Sequence, residues 1–340
     1  MGRGTTADVD PPRPAPTLSG ALVLCLVALA FGAVMVGPYG LTPGQTLAAL
    51  FGQGDRQAQI VVWSIRLPRV GAALLVGAAL AAAGASYQAL FRNPLVSPDI
   101  LGVSAGAGLG AVAGIFLSLP VAAIQASAFV GGMAAVGFVT LVASVVRNTD
   151  RTLTLVLIGV VIGALAGAAT SLLKVMADPY DQLPAITFWL LGSLAATTTE
   201  DILPALPMVL IGLVPLALLR WRINVLSLGD EEARALGVEA GRTRFFVIAA
   251  ATLITASVTA LAGVVGWVGL VIPHVARMLV GPGFGRLLPT SALIGAGYLL
   301  IVDTAARTIA QVEVPLGILT AVIGAPFFVW LLARGRRGWS

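Results

Sequence analysis

Few side chains in this sequence could do chemistry, so their types and spacing carry the information. Arg66-Leu67-Pro68-Arg69 joins two guanidinium groups to a proline at the edge of an apolar run. Such a group either anchors a helix at a membrane interface or forms a cationic rim that receives acidic groups of an external partner. Asp303 and Arg307 are spaced i, i+4 and can pair on one helix face. His274 is the only histidine and Cys25 the only cysteine. That excludes an intrachain disulfide, a cysteine cluster and any metal site needing two histidines from one chain. The one lysine, Lys174, follows Ser171-Leu172-Leu173. No G-x-x-x-x-G-K-[ST] occurs, so the chain has no phosphate-cradling loop; ATP, if it is used, binds to another subunit.

The elements that position these residues must lie in lipid. Of 340 residues 58% are apolar and 10% charged, whereas a soluble domain carries about 25% charged residues. The length admits roughly ten membrane helices. Apolar runs fall at about 18–36, 70–90, 100–119, 121–146, 153–176, 202–219, 245–265, 268–280, 287–301 and 316–332. The eighth and ninth are short for a full crossing. Residues 1–17 are polar and proline-rich and are expected to be a disordered tail. Dense glycine and alanine within the runs predict close helix packing, as in Gly102-Val-Ser-Ala-Gly106-Ala-Gly108-Leu-Gly110.

The net charge of +5 would suggest nucleic acid in a soluble chain. Here the arginines lie in loops and at the ends, where they set orientation, and no nucleic-acid partner is expected. Arg3 and Arg13 precede the first span, and Arg334, Arg336 and Arg337 follow the last. Both termini are therefore expected in the cytoplasm, with Arg92, Arg147, Arg151 and the stretch Arg220 to Arg244. The stretch Asp178 to Glu200 is acidic, lacks arginine and falls outside.

Within Arg220 to Arg244, Ser227 or Asp230 can cap a short helix, with Glu231 and Glu232 in its first turn and Gly237 at its end. Leu226, Leu228, Ala233 and Leu236 give it an apolar side turned away from lipid, suited either to a solvated linker or to a docking helix. Two prolines break the chain in Leu90-Phe-Arg-Asn-Pro-Leu-Val-Ser-Pro-Asp-Ile-Leu-Gly102, where Ser97 or Asp99 can cap the next helix. A comparable break at Gly266–Arg277 follows a span running the opposite way, which hints at an inverted repeat. His274, after Pro273, reads as a capping or packing residue.

Taken in order, five segments closely resemble the FecCD family of permeases of type II ABC importers. They are Arg66-Leu-Pro-Arg69, Asn93-Pro-Leu-Val-Ser-Pro-Asp-Ile-Leu-Gly-Val-Ser-Ala-Gly106, Leu226-Ser-Leu-Gly-Asp-Glu-Glu-Ala-Arg-Ala-Leu-Gly237, Gly269-Leu-Val-Ile-Pro-His-Val-Ala-Arg277 and Pro315-Leu-Gly-Ile-Leu-Thr-Ala-Val-Ile-Gly-Ala-Pro326. The resemblance covers about 60–335.

The resemblance implies an all-α polytopic membrane protein of about ten transmembrane helices with the type II ABC importer permease fold. It implies a permease domain over 18–335, with a cytoplasmic coupling helix at 226–237 and a short tail at 336–340. It implies a homodimer in membrane lipid, multi-pass in the inner (cytoplasmic) membrane, working by alternating access with two ATPase subunits and an external substrate-binding protein. ATP and Mg would belong to the ATPase; the chain itself would be no enzyme and hold no metal or other cofactor. By the same resemblance, Leu226, Ser227, Leu228, Gly229, Ala233, Leu236 and Gly237 dock the ATPase. Arg66, Arg69 and Arg307 meet acidic residues of the binding protein, and Asn93, Leu95 and Thr152 form a cytoplasmic gate. The expected cargo is a ferric siderophore, with haem and cobalamin as alternatives. An ion-driven secondary transporter would need acids deep in the spans, and none is read there.

Overall fold

The computed structural model describes residues 16–146 and 151–334. The tail expected at 1–17 falls outside this range except for the first two residues of the first helix. The tail at 336–340 and Arg147 also lie outside it.

Every described regular element is helical: α1 (Pro16–Met35), α2 (Pro43–Leu50), α3 (Arg56–Ile60), α4 (Leu67–Leu90), α5 (Val103–Phe116), α6 (Val121–Val145), α7 (Arg151–Met176), α8 (Gln182–Leu191), α9 (Thr199–Leu218), α10 (Arg220–Leu226), α11 (Asp230–Ala235), α12 (Ala240–Ala262), α13 (Val268–Val280), α14 (Phe284–Ala306) and α15 (Leu316–Arg334). A π-helical stretch, Val61–Arg66, joins α3 to α4, and a 3-10 turn, Pro98–Leu101, precedes α5. Each of the ten apolar runs is a helix: α1, α4, α5, α6, α7, α9, α12, α13, α14 and α15. Among the described residues, seven helices are long and apolar enough to cross a membrane.

Two expectations need correction. The ninth run is not short: α14 has 23 residues, because Pro289 lies early in the helix and the chain stays helical past Asp303. Nor does a helix begin afresh at Arg66-Leu-Pro-Arg69, since the helical path runs unbroken for 35 residues from Arg56 to Leu90. Pro68 is the second residue of α4, a position that tolerates the missing N–H, and follows a π-helical stretch in which Leu67 N donates to the carbonyl of Val62.

The core is built around α4, which packs antiparallel to α14 and also meets α12 and α13. Small residues permit this. A Cβ on Gly77 would collide with the carbonyl of Gly295, and one on Gly84 with that of Gly269. In lipid, where apolar surface gives helices no drive to associate, such backbone contact is what packing has to offer.

Two of the ten elements are too short for a full crossing. With 14 and 13 residues, α5 and α13 rise roughly 20 Å at 1.5 Å per residue, against about 30 Å of hydrocarbon. Each is preceded by irregular backbone that packs on a neighbouring helix. Before α5, Gly102 turns through φ 81°, packed against α7 at Gly159 and Gly163. Before α13, Trp267 is held at φ 69° with its ring against Gly324 and Phe328 of α15.

The stretch Asp178 to Glu200, read only as an acidic outer segment, contains a further helix, α8. Its first residue is tied to the end of α5, Gln182 Nε2 donating to the carbonyl of Phe116 at 2.9 Å. Its end is clamped between α12 and α15: Ser193 N donates to the carbonyl of Ala262 (2.9 Å), and Leu316 N to that of Gly192 (3.0 Å).

Candidate functional site

The starts of α4 and α15 and the ends of α1, α12 and α14 share one end of the bundle, the outer end on the orientation expected from the arginines. Residues 92–98, α10, α11 and the starts of α12 and α14 share the other. The expected site residues divide between these ends.

At the inner end, α10 buries Ile223 and Leu226, and Asn224 Oδ1 accepts the N–H of Phe284 at 2.7 Å. That fastens α10 to the first turn of α14. The chain then turns at Gly229 (φ 140°), a conformation open to glycine rather than L residues. Asp230, Glu231 and Glu232 fill the first turn of α11, where the helix dipole favours acids. The helix ends in a Schellman motif: Val238 N donates to the carbonyl of Ala233 (2.8 Å) and Gly237 N to that of Arg234 (2.9 Å), with Gly237 at φ 77°. Arg244 of α12 donates to both carboxylate oxygens of Asp230, at 2.8 and 2.6 Å. This bond holds the Asp230 carboxyl below its ordinary pKa.

The residues expected to dock the ATPase therefore do two different jobs. Leu226 (1% exposed) and Ala233 (0%) face the protein and cannot touch a partner, whereas Leu228 (60%) and Leu236 (53%) stand out from it. Ser227 is exposed but spends its hydroxyl on the carbonyl of Asn224. Gly229 is buried and Gly237 exposed, and the larger outward side chains are Leu228 and Leu236, flanking Glu231, Glu232 and Arg234.

At the outer end, the expected cationic rim is not exposed: Arg66, Arg69 and Arg307 are 2%, 6% and 7% accessible. Arg66 donates to the carbonyls of Val34 (2.8 Å), Met35 (3.2 Å) and Tyr39 (2.7 Å), and Arg307 to that of Ala33 (2.7 Å). Together they satisfy the C-terminal carbonyls of α1, which no helical N–H can reach. Arg69 binds Asp303 through Nε (2.9 Å) and Nη2 (2.8 Å), and Glu313 through Nη1 (2.8 Å). The expected pairing of Arg307 with Asp303 is present at 3.7 Å. Glu313 in turn accepts from Ser193 Oγ at 3.1 Å.

Of the expected gate residues, Asn93 and Leu95 are exposed in one turn, Asn93 Oδ1 accepting the N–H of Leu95 at 2.9 Å. Thr152 lies in the first turn of α7. The Pro98–Leu101 turn meets the same helix two turns further on, at Gly159. Gln88 ties the Asn93 turn to α13: its carbonyl accepts from Asn93 N (3.2 Å), its Nε2 donates to the carbonyl of Leu270 (3.0 Å), and its Oε1 accepts from Arg277 (3.1 Å). Gln88, Glu313, Ser193 and Asn224 carry no signal in the sequence, since each finds its partner through tertiary packing.

The matching region of the chain is nearly all of it: residues 23–334 match the FecCD transport family. This chain belongs to the FecCD transport family. It is similar to the molybdate import system permease protein MolB of Haemophilus influenzae, with 40% identity over 95% of this chain and 97% of that protein. It is also similar to the cobalamin import system permease protein BtuC of Halobacterium salinarum, with 45% identity over 81% of this chain and 74% of that one. A solved structure of a metal-chelate type ABC transporter in an inward-facing conformation superimposes with a TM-score of 0.86 at 39% identity, covering 94% of this chain and 99% of that one. As a FecCD member the chain is an ABC importer permease, a membrane protein and not itself an enzyme, of a kind that works with ATPase and binding-protein partners.

Proposed function

We propose that this FecCD permease forms a homodimer in the inner membrane, with both termini cytoplasmic, and carries a metal complex inward by alternating access. Two ATPase subunits seat on α11, and an external binding protein docks at the end built from Arg69 and Glu313. ATP and Mg belong to the ATPase, and this chain holds no cofactor.

The observation that carries the coupling role is the division of labour in α11. A six-residue helix has no stability of its own. This one is fastened by Leu226, Ala233, the Schellman motif and the Asp230–Arg244 pair, so that Leu228 and Leu236 are presented rigidly. A push from a bound ATPase would pass through Asp230–Arg244 to α12 and through Asn224 to α14, both of which pack on α4.

For the cargo we propose a ferric siderophore, with haem and cobalamin as its nearest competitors. One histidine and one cysteine per chain leave no imidazole or thiolate set within one chain to take a bare transition metal. That supports a metal travelling inside its own ligand. The deciding experiment is uptake into proteoliposomes holding the permease, its ATPase and its binding protein, offered ferric siderophores, haem, cobalamin and molybdate in turn. ATP-dependent accumulation of a ferric siderophore alone is expected. Accumulation of another cargo would overturn the cargo reading, and uptake without the ATPase would overturn the importer mechanism.

A further inference from the structure

Two carboxylates share the guanidinium of Arg69, and they are held very differently. The Asp303 side chain is 0% accessible and takes both Nε and Nη2. That of Glu313 is 25% accessible, sits in the loop between α14 and α15, and takes Nη1 alone. Asp303 by itself can keep Arg69 in place; Glu313 can be removed without uncovering a buried charge pair. Within this cluster three arginines (66, 69 and 307) face two acids (303 and 313), one positive charge in excess, and with Glu313 swung away the cluster would have two.

Resting on the reading that the binding protein docks at this end, we propose that Glu313 is an internal stand-in for the partner: docking exchanges it on Arg69 Nη1 for a carboxylate of the binding protein. The kind of surface that fits is an acidic side chain on a protruding loop, able to reach a nitrogen that only Glu313 now covers.

The exchange has a consequence inside the bundle. Glu313 leaves Ser193 as well as Arg69, because its other oxygen accepts the Ser193 hydroxyl. Ser193 follows Gly192, the φ 74° turn that ends α8 and whose carbonyl receives Leu316 N at the start of α15. Departure of Glu313 therefore removes one bond from the junction of α8 with α15, leaving the backbone bonds from Ser193 and Leu316, so a contact made at the surface is felt at both helices.

The test is the affinity of the purified binding protein for the complete permease–ATPase complex in lipid nanodiscs at low salt. Removing a competitor and removing a structural clamp change that affinity in opposite directions. Glu313→Gln should tighten docking by about two- to fivefold, as expected for loss of one partly exposed ion pair. Unchanged or weaker docking overturns the exchange. Arg69→Lys keeps a charge beside Asp303 but cannot also serve an incoming carboxylate as a guanidinium does, and it should weaken docking. If Arg69→Lys weakens docking while Glu313→Gln fails to tighten it, the exchange alone is wrong. If Arg69→Lys leaves docking unchanged, the placement of the binding protein is wrong as well.

Discussion

Asp230 and Arg244 form a two-bond ion pair that ties the first residue of α11 to the first turns of α12. Because Arg244 stabilises the charged carboxylate, the folded pKa of Asp230 is depressed. A depressed carboxylate pKa contributes stability that is present above the ordinary aspartate value, about 3.9, and lost as pH falls through the folded value. The order of α11 should therefore survive mild acid and fail only below about pH 4. Arg244→Gln removes that contribution at every pH, so the variant's α11 should already be less ordered at neutral pH and its further loss below about pH 4 should be smaller. Limited proteolysis across residues 226–240 as a function of pH reads this directly, and equal profiles for the two proteins would contradict it.

Leu228 and Leu226 are two residues apart and should behave oppositely. Leu228→Asp with Leu236→Asp alters only side chains that project from the protein. The pair should abolish co-purification of the ATPase while leaving thermal stability within about 0.5 kcal/mol. Leu226→Ala empties a buried site and should cost about 2–5 kcal/mol of stability. Retained co-purification in the double Asp variant would move the ATPase surface elsewhere.

How much of this could be read beforehand depended on whether the signal was local. The ten apolar helices were legible because burial in lipid demands apolar runs, and the end of α11 because Gly237 marks a turn that few other residues make; its start was misread, since Gly229 stands at the N-cap in place of Ser227 or Asp230 and no side chain caps it. Asp303 and Arg307 were legible as a pair because a helix puts i and i+4 together. Glu313 was not: its partner Arg69 lies 244 residues away in sequence, and nothing beside either residue announces the other. Burial of Arg66 and Arg307 was equally hidden, since arginines next to apolar runs usually reach water. Here the frayed carbonyls of α1 give them a reason to stay inside. α8 was missed because ten residues, two of them polar, are too few to resemble a span.

Gly77 and Gly295 bring the backbones of α4 and α14 into contact. A methyl group on either would meet main chain, which cannot rotate away. Gly77→Ala should therefore destabilise the permease by about 1–3 kcal/mol, although alanine is the better helix former. The same change at Gly137 of α6, where a Cβ would meet nothing, should be neutral or slightly stabilising. Thermal unfolding of the two variants in one detergent separates packing from propensity, and equal shifts would sink the argument.

Asp303 is the one fully buried carboxylate between Arg69 and Arg307, so its loss should be felt at both. Asp303→Asn preserves shape but leaves two guanidinium groups facing an amide in a buried site. Breaking a buried pair by removing one partner costs about 3–5 kcal/mol, because the remaining charge is uncompensated. Glu313 can offset part of this for Arg69, which it already touches, but it has no bond to Arg307 in this arrangement. Asp303→Asn should therefore destabilise the permease strongly, and Asp303→Asn combined with Arg307→Met should recover part of the loss by removing the stranded cation. Recovery requires that Arg307 act mainly through its charge. If the double variant is instead less stable than the single one, the bond from Arg307 to the carbonyl of Ala33 outweighs the charge pairing, and the closure of α1 is its main task.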